Sequence, residues 1–168
     1  MSLYGIAQWL EHTEWSLALH ESIWAYPIIE SVHVLCLCLF LGMALALDLR
    51  LLGVAFRGVD AGELFDRLMP FTVTGFILMV VTGTLLFFGI PVRTYVNIFF
   101  RLKMLFLILS GINVWYFHSG IHRNVGEWGR DANPPAKAKM VGAVSIVLWA
   151  LIVIAGRMIA YNWFDKTL

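Results

Sequence analysis

The chain has 168 residues and a mass of 19.0 kDa; it is 60% hydrophobic and only 14% charged, with a mean hydropathy of +0.80. Soluble domains are about 25% charged, so this composition excludes a disordered chain, a nucleic-acid binder and an ordinary soluble enzyme. Twelve Lys and Arg against eleven Asp and Glu leave a net charge of +1, too little for a field that steers a polyanion.

What remains is an integral membrane protein, expected as one domain over residues 1–168. Residues 1–24 come first. Their stretch LYGIAQWLEHTEWSLALHES alternates apolar and polar residues at helical spacing. It is too polar to span and predicts an amphipathic helix on the membrane surface. No cleavable signal is expected, because the N-terminus lacks a basic region and a small-residue cleavage site. A bilayer core of about 30 Å needs roughly 20 apolar residues per helix. Four stretches qualify, at about Pro27–Leu47, Pro70–Ile90, Asn97–His118 and Met140–Tyr161. Their short connections favour antiparallel neighbours, and Asn133-Pro134-Pro135 breaks the chain before the fourth. The expected fold is all-α: an integral membrane antiparallel four-helix bundle with an N-terminal interfacial helix. Cys36 and Cys38 both fall inside the first span, where lipid or core packing explains them better than a disulfide does.

Lys and Arg placement predicts orientation. None occurs in the first 49 residues. The connection after span one holds Arg50, Arg57 and Arg67, and that after span three holds Arg123, Arg130, Lys137 and Lys139. The other side has a loop with Arg93, plus Lys166 at the tail, with Arg101, Lys103 and Arg157 at span ends. Both termini are therefore expected on the outer, periplasmic side of a bacterial inner membrane. Trp9, Trp15, Trp24 and Trp163 then fall in the outer aromatic belt.

Ionisable groups inside spans are costly and are functional candidates by default. His33 and Lys103 each lie about six residues, or ~9 Å, into parallel spans. Asp48 and His118 each follow fifteen residues later. Counting therefore predicts an outer polar level with His33 and Lys103, and an inner one with Asp48 and His118. Glu30 sits one turn above His33, and Arg157 with Tyr161, spaced i,i+4, reaches the outer level as span four exits. Span two offers small residues at a seven-residue spacing, Gly75, Thr82 and Gly89. They allow close helix contact or leave room for a flat ligand.

A haem held in a helical bundle needs an axial nitrogen, optionally a second from a facing helix, and cations for its propionates. His33 supplies an imidazole, Lys103 a second ligand in its neutral form, and Arg157 a fork for a carboxylate. The opposing readings are structural. Lys103 and Arg157 snorkel to the interface, Arg157 pairs with Glu30, and His33 is a hydrogen-bonded packing residue. His33 and His118 cannot share one iron, since depth counting separates them by ~20 Å. His118 and His122, at i,i+4, present a metal-like spacing without a third ligand. The competing reading makes them interfacial, with Asp48 as partner. His12 and His20 lie on the outer amphipathic helix and read as solvated, with His20 an alternative ligand for the outer cavity.

The stretch ESIWAYPIIESVHVLCLCLFLGMALALDLRLLG resembles the first span of a large bacterial group of four-helix membrane proteins of unknown function. The resemblance continues through FTVTGFILMVVTGTLLFF, NIFFRLKMLFLILSGINVWYFH and SIVLWALIVIAGRMIAY, and covers nearly all of the chain after Ser22. More remotely, His33 and the RLK stretch with Lys103 are similar to the four-helix membrane protoporphyrinogen oxidases. There a first-span His and a third-span Lys are implicated in haem binding, and Arg50 is similar to an Arg of that family. A weaker likeness links the chain to the membrane domain of copper-resistance proteins and to small b-type cytochromes.

The leading expectation is a membrane-embedded protein with haem b, serving electron transfer or redox or gas sensing. Two alternatives stand beside it. One is a haem-dependent protoporphyrinogen oxidase that passes electrons to a quinone. The other is a copper or other metal-handling protein that uses His118, His122 and Asp48 inside, or His12 and His20 outside; copper or a second haem is the further cofactor expected. The expected partners are the lipid bilayer, a quinone or other redox partner and a second copy of the chain, with no nucleic acid.

Overall fold

The computed structural model describes residues 3–161. Two short helices, α1 (Leu3–Glu11) and α2 (Glu14–Glu21), come first. Then follow α3 (Ala25–Leu52), α4 (Ala61–Gly89), the short α5 (Pro91–Val96), α6 (Ile98–Tyr116), the one-turn α7 (Val125–Trp128) and α8 (Ala136–Met158). Four segments are long and apolar enough to cross a membrane: α3, α4, α8 and the continuous run from α6 to α7. The protein is an all-α four-helix membrane bundle. Leu35, Ile77, Ile108 and Val147 are exposed on its flanks, as side chains are when lipid tails are the solvent.

The helix ends depart from the expected spans for identifiable reasons. Thr13 caps α2, its side chain accepting from the Ser16 amide, so the N-terminal segment folds as two helices rather than one. His12 lies in the turn between them. Helix α3 runs past residue 47 until Gly53, at φ 69°, closes it in the left-handed region; Asp48 and Arg50 are therefore helical. Asp60 caps α4 through the Glu63 amide, so Pro70 lies inside this helix rather than at its start. A membrane helix tolerates that when neighbours occupy the freed groups. Arg67 lies on the helix and pairs with Glu63 at 2.6 Å. Asn97 caps α6 through the Phe99 amide. Beyond Tyr116 the chain continues as a π turn (Phe117–Ile121) and a 3-10 turn (His122–Asn124). Helix α8 starts directly after Pro135 and ends at Met158, so Lys137 and Lys139 are helical and Tyr161 is not. Trp163 and Lys166 lie outside the described residues.

Helix α3 packs against α4 and α8, and α6 against α8; α4 and α6 make little contact with each other. The α3–α4 seam follows a seven-residue repeat. A Cβ on Gly75 would meet Phe40 at 3.1 Å, and one on Gly89 would meet the Tyr26 ring at 2.9 Å. Between these pairs Thr82 meets His33. Tyr26, His33 and Phe40 thus step down α3 while Gly89, Thr82 and Gly75 step along α4 in the opposite direction. A ring seats on a small residue at each step, the way a heptad holds two helices in register. The small residues of span two serve close helix contact, and the space they leave is filled by these rings.

The inner end is tied by Arg50, which is 0% exposed. Its Nε donates to the Val59 carbonyl at 2.8 Å, and Nη2 donates to those of Gly129 and Asp131 at 2.7 and 3.1 Å. Among the described residues no carboxylate pairs with it. It therefore staples the α3–α4 loop to the α7–α8 loop through backbone oxygens. At the outer end the Ser16 hydroxyl donates to the Phe88 carbonyl at 2.7 Å, and α1 packs on α5.

Overpacking the seam tests this register. Gly75→Leu drives a branched side chain into Phe40 and is expected to destabilise by about 1–3 kcal/mol. Thermal unfolding in detergent reads the loss. Adding Phe40→Ala should recover part of it; a single variant that melts with wild type removes the seam as described.

Candidate functional site

At the outer level the α3–α4 register sets His33 against α4. Its Nδ1 lies 2.7 Å from Thr82 Oγ1. The Thr82 hydroxyl has one hydrogen, and the Leu78 carbonyl sits 2.7 Å away to accept it. The hydroxyl oxygen then accepts from Nδ1–H. This network assigns the tautomer: Nε2 carries the lone pair. A Cβ on Gly83 would meet His33 Cε1 at 3.2 Å, so the glycine makes room for the ring.

Lys103 approaches from α6. Its Nζ lies 3.5 Å from where a Cβ on Gly156 of α8 would stand, so the amine packs against α8 at that glycine. Among the described residues Lys103 has no hydrogen bond or ion pair. It lies within electrostatic reach of His33. Among the described residues each of the two keeps one nitrogen without a hydrogen-bond partner.

The other outer candidates gather less closely. Glu30 is exposed and forms no ion pair with Arg157 among the described residues. Arg157 is exposed and lies over the Tyr161 ring, 5.9 Å from its centroid. The ring contact survives although Tyr161 is beyond the helix end. His12 and His20 are exposed. Trp9, Trp15 and Trp24 are exposed in the same N-terminal region. Cys38 is exposed and Cys36 packs at the edge of the mid-bundle cluster, both as free thiols.

The inner level also assembles. Asp48 and His118 line one cavity of about 270 Å³ between the four long helices. They are not each other's partners. Asp48 Oδ2 accepts from the Ser145 hydroxyl at 2.6 Å, and His118 Nδ1 donates to the Val114 carbonyl at 2.9 Å. His118 and His122 have ring centroids 5.4 Å apart, and His122 packs on Phe65 and Phe117. Among the described residues no third His, Cys, Asp or Glu joins them in a group able to hold a metal ion.

Sequence reasoning did not assign roles to Ser110, Asn113 and Ser145, which line the inner cavity, or to the Thr82 hydroxyl. Each is a small polar residue inside an apolar span, and that is the only signal that marks them.

Fold and site together define a multi-pass membrane bundle with two polar levels inside it. The chain belongs to a family of unknown function, DUF6644, which matches residues 20–162, from within α2 to just beyond α8. Comparison with curated proteins and with solved structures finds no match.

The tautomer is directly measurable. In ¹⁵N-edited spectra His33 is expected to carry its proton on Nδ1. Thr82→Val removes the acceptor and is expected to release the ring into a mixture of tautomers. A pure Nε2–H signal in the wild-type protein would refute the assignment.

Proposed function

We propose that this protein is a membrane-embedded b-type haem protein of the bacterial inner membrane, serving electron transfer or redox or gas sensing. The observation that carries the reading is the His33–Thr82 hydrogen bond, which leaves the Nε2 lone pair free while fixing the ring. A histidine that ligates iron is commonly held this way, with its other nitrogen donating to an oxygen. The donor set of the outer level fits a haem on two further counts. Lys103 brings a second nitrogen with no hydrogen bond among the described residues, and Arg157 stands at the same end with an exposed guanidinium suited to a carboxylate.

His33 and, in its neutral form, Lys103 would hold the iron, and Arg157 would bind a propionate. When bound, a haem supplies one-electron chemistry. The chain's own part is to orient the imidazole through Thr82, to exclude water with the Phe40, Met79, Trp149 and Ile152 cluster below it, and to keep the site in a low dielectric. If Lys103 ligates, small molecules are excluded and electron transfer is favoured; without it the position is open to a gas.

A visible spectrum of protein purified from haem-supplied cells tests the reading. A Soret band is expected, largely lost in His33→Ala and shifted in spin state in Lys103→Met. No Soret band, or a spectrum unchanged by His33→Ala, overturns it.

The same proposal puts both termini outside the cytoplasm. The end opposite the termini carries Arg57, Arg67, Arg123, Arg130, Lys137 and Lys139, the bias that the cytoplasmic side shows. With Cys36 and Cys38 replaced by Ala, a reporter at His12→Cys should react with a membrane-impermeant maleimide on spheroplasts, and one at Gly58→Cys should not. The reverse pattern inverts the topology.

A further inference from the structure

The inner cavity is separate from the His33–Lys103 level, and nothing so far gives it a role. Its volume of about 270 Å³ is at the low end for small-ligand sites, room for one ring. Phe40, Phe76, Phe117 and Trp149 contribute aromatic walls.

The way in is sideways. Helices α4 and α6 hold to α3 and α8 and barely to each other. Two stacked ring pairs bridge them at the ends of the gap: Phe87 with Phe100 at 5.5 Å, and Phe65 with Phe117 at 5.0 Å. Between these stacks Val73 and Phe76 of α4 and Val114 of α6 line the cavity and are exposed. A ligand with an apolar tail can enter from the hydrocarbon and leave that tail in it.

The polar groups say what the ligand must bring. Ser110 is 3% exposed and lines the cavity. Ser31, Thr72, Thr82 and Thr84 all return their hydroxyls to their own helix. The Ser110 hydroxyl has no hydrogen bond among the described residues. Asp48, 7% exposed, uses Oδ2 on Ser145 and has no hydrogen bond at Oδ1 among the described residues. His118 spends Nδ1–H on Val114, which leaves an Nε2 lone pair. Asn113 spends one amide N–H on Val141, which leaves its second N–H and Oδ1. Asp48, His118 and Asn113 thus offer acceptors, beside donors on Ser110 and Asn113. A hydrocarbon chain would leave all of them unpaired in a dry site, which is costly. A quinone could accept from Ser110 and Asn113 but would leave Asp48 and His118 without a donor. No Lys or Arg lines the cavity, so a phosphate headgroup finds no counter-charge.

We propose that the inner cavity binds a membrane-soluble hydroquinone, its ring between the aromatic walls and its hydroxyls donating to Asp48 and His118. The ring diol supplies two hydrogens at fixed separation, and the Ser110 hydroxyl can donate back to one of its oxygens.

The test uses the full chain in lipid nanodiscs and a short-chain alkyl benzohydroquinone kept reduced under nitrogen. Saturable binding with one site per chain is expected. It should be about tenfold tighter than binding of the oxidised quinone or of decanol, because a site built for hydroxyl donors rejects analogues that cannot donate or stack. His118→Phe removes one acceptor and should weaken binding by about tenfold. Gly111 lines the cavity and a Cβ there meets nothing within 4 Å. Gly111→Leu should therefore fold normally and abolish binding. Leu35→Ala, on the lipid-facing side of α3, should leave binding as in wild type. Absence of saturable binding overturns the proposal, as do equal affinities for decanol or the quinone, or wild-type affinity in Gly111→Leu. None of these readouts involves the His33 level, so failure here and failure of the haem reading are separable.

Discussion

The α3–α4 seam is the contact on which the rest of this structure depends. In a bilayer the hydrophobic effect does not drive one helix against another, so close packing and internal hydrogen bonds must do it. The seam supplies both. Phe40 and Tyr26 seat on glycines, and between them His33 bonds Thr82. The same register decides which nitrogen of His33 is free. Helix packing and site chemistry are therefore one arrangement: sliding α4 by a turn would separate Thr82 from the ring and place a side chain where Gly83 now leaves room.

With α4 committed to α3, and α6 to α8, the fourth side of the bundle is left ajar. A symmetric bundle would close it with apolar side chains. Here ring stacks bridge the gap at its ends, and the space between carries unmet polar groups. Such groups are expensive in a dry interior, so their concentration on one cavity wall points to a ligand, whereas a stability role would leave them paired. The end opposite α1 is tied because Nε and Nη2 of Arg50 meet three backbone carbonyls of two loops, while its buried Nη1 has no partner among the described residues. A charge so deeply buried is retained where hydrogen bonds occupy it.

Residue counting set Asp48 and His118 at one depth, and they line one cavity, because helical rise converts sequence separation into depth. Pairing was less legible. Asp48 bonds Ser145 on a helix far along the chain, and His118 bonds its own backbone, because rotation about each helix axis depends on packing that no local pattern reveals. Helix ends differ from span ends for a related reason. Hydropathy marks where lipid ends, whereas the helices run on until a cap such as Gly53 or Asp60 stops them.

Composition and periodicity alone determined that this chain crosses a membrane four times, and which few ionisable groups are out of place there, since both follow from the cost of polarity in hydrocarbon. Only the tertiary structure decided the tautomer of His33, the seat of Lys103 beside Gly156 and the open side between α4 and α6. Each depends on which face one helix turns to another. That choice is made by close packing of side chains distant in sequence, a constraint written in pairs of residues rather than in any one segment.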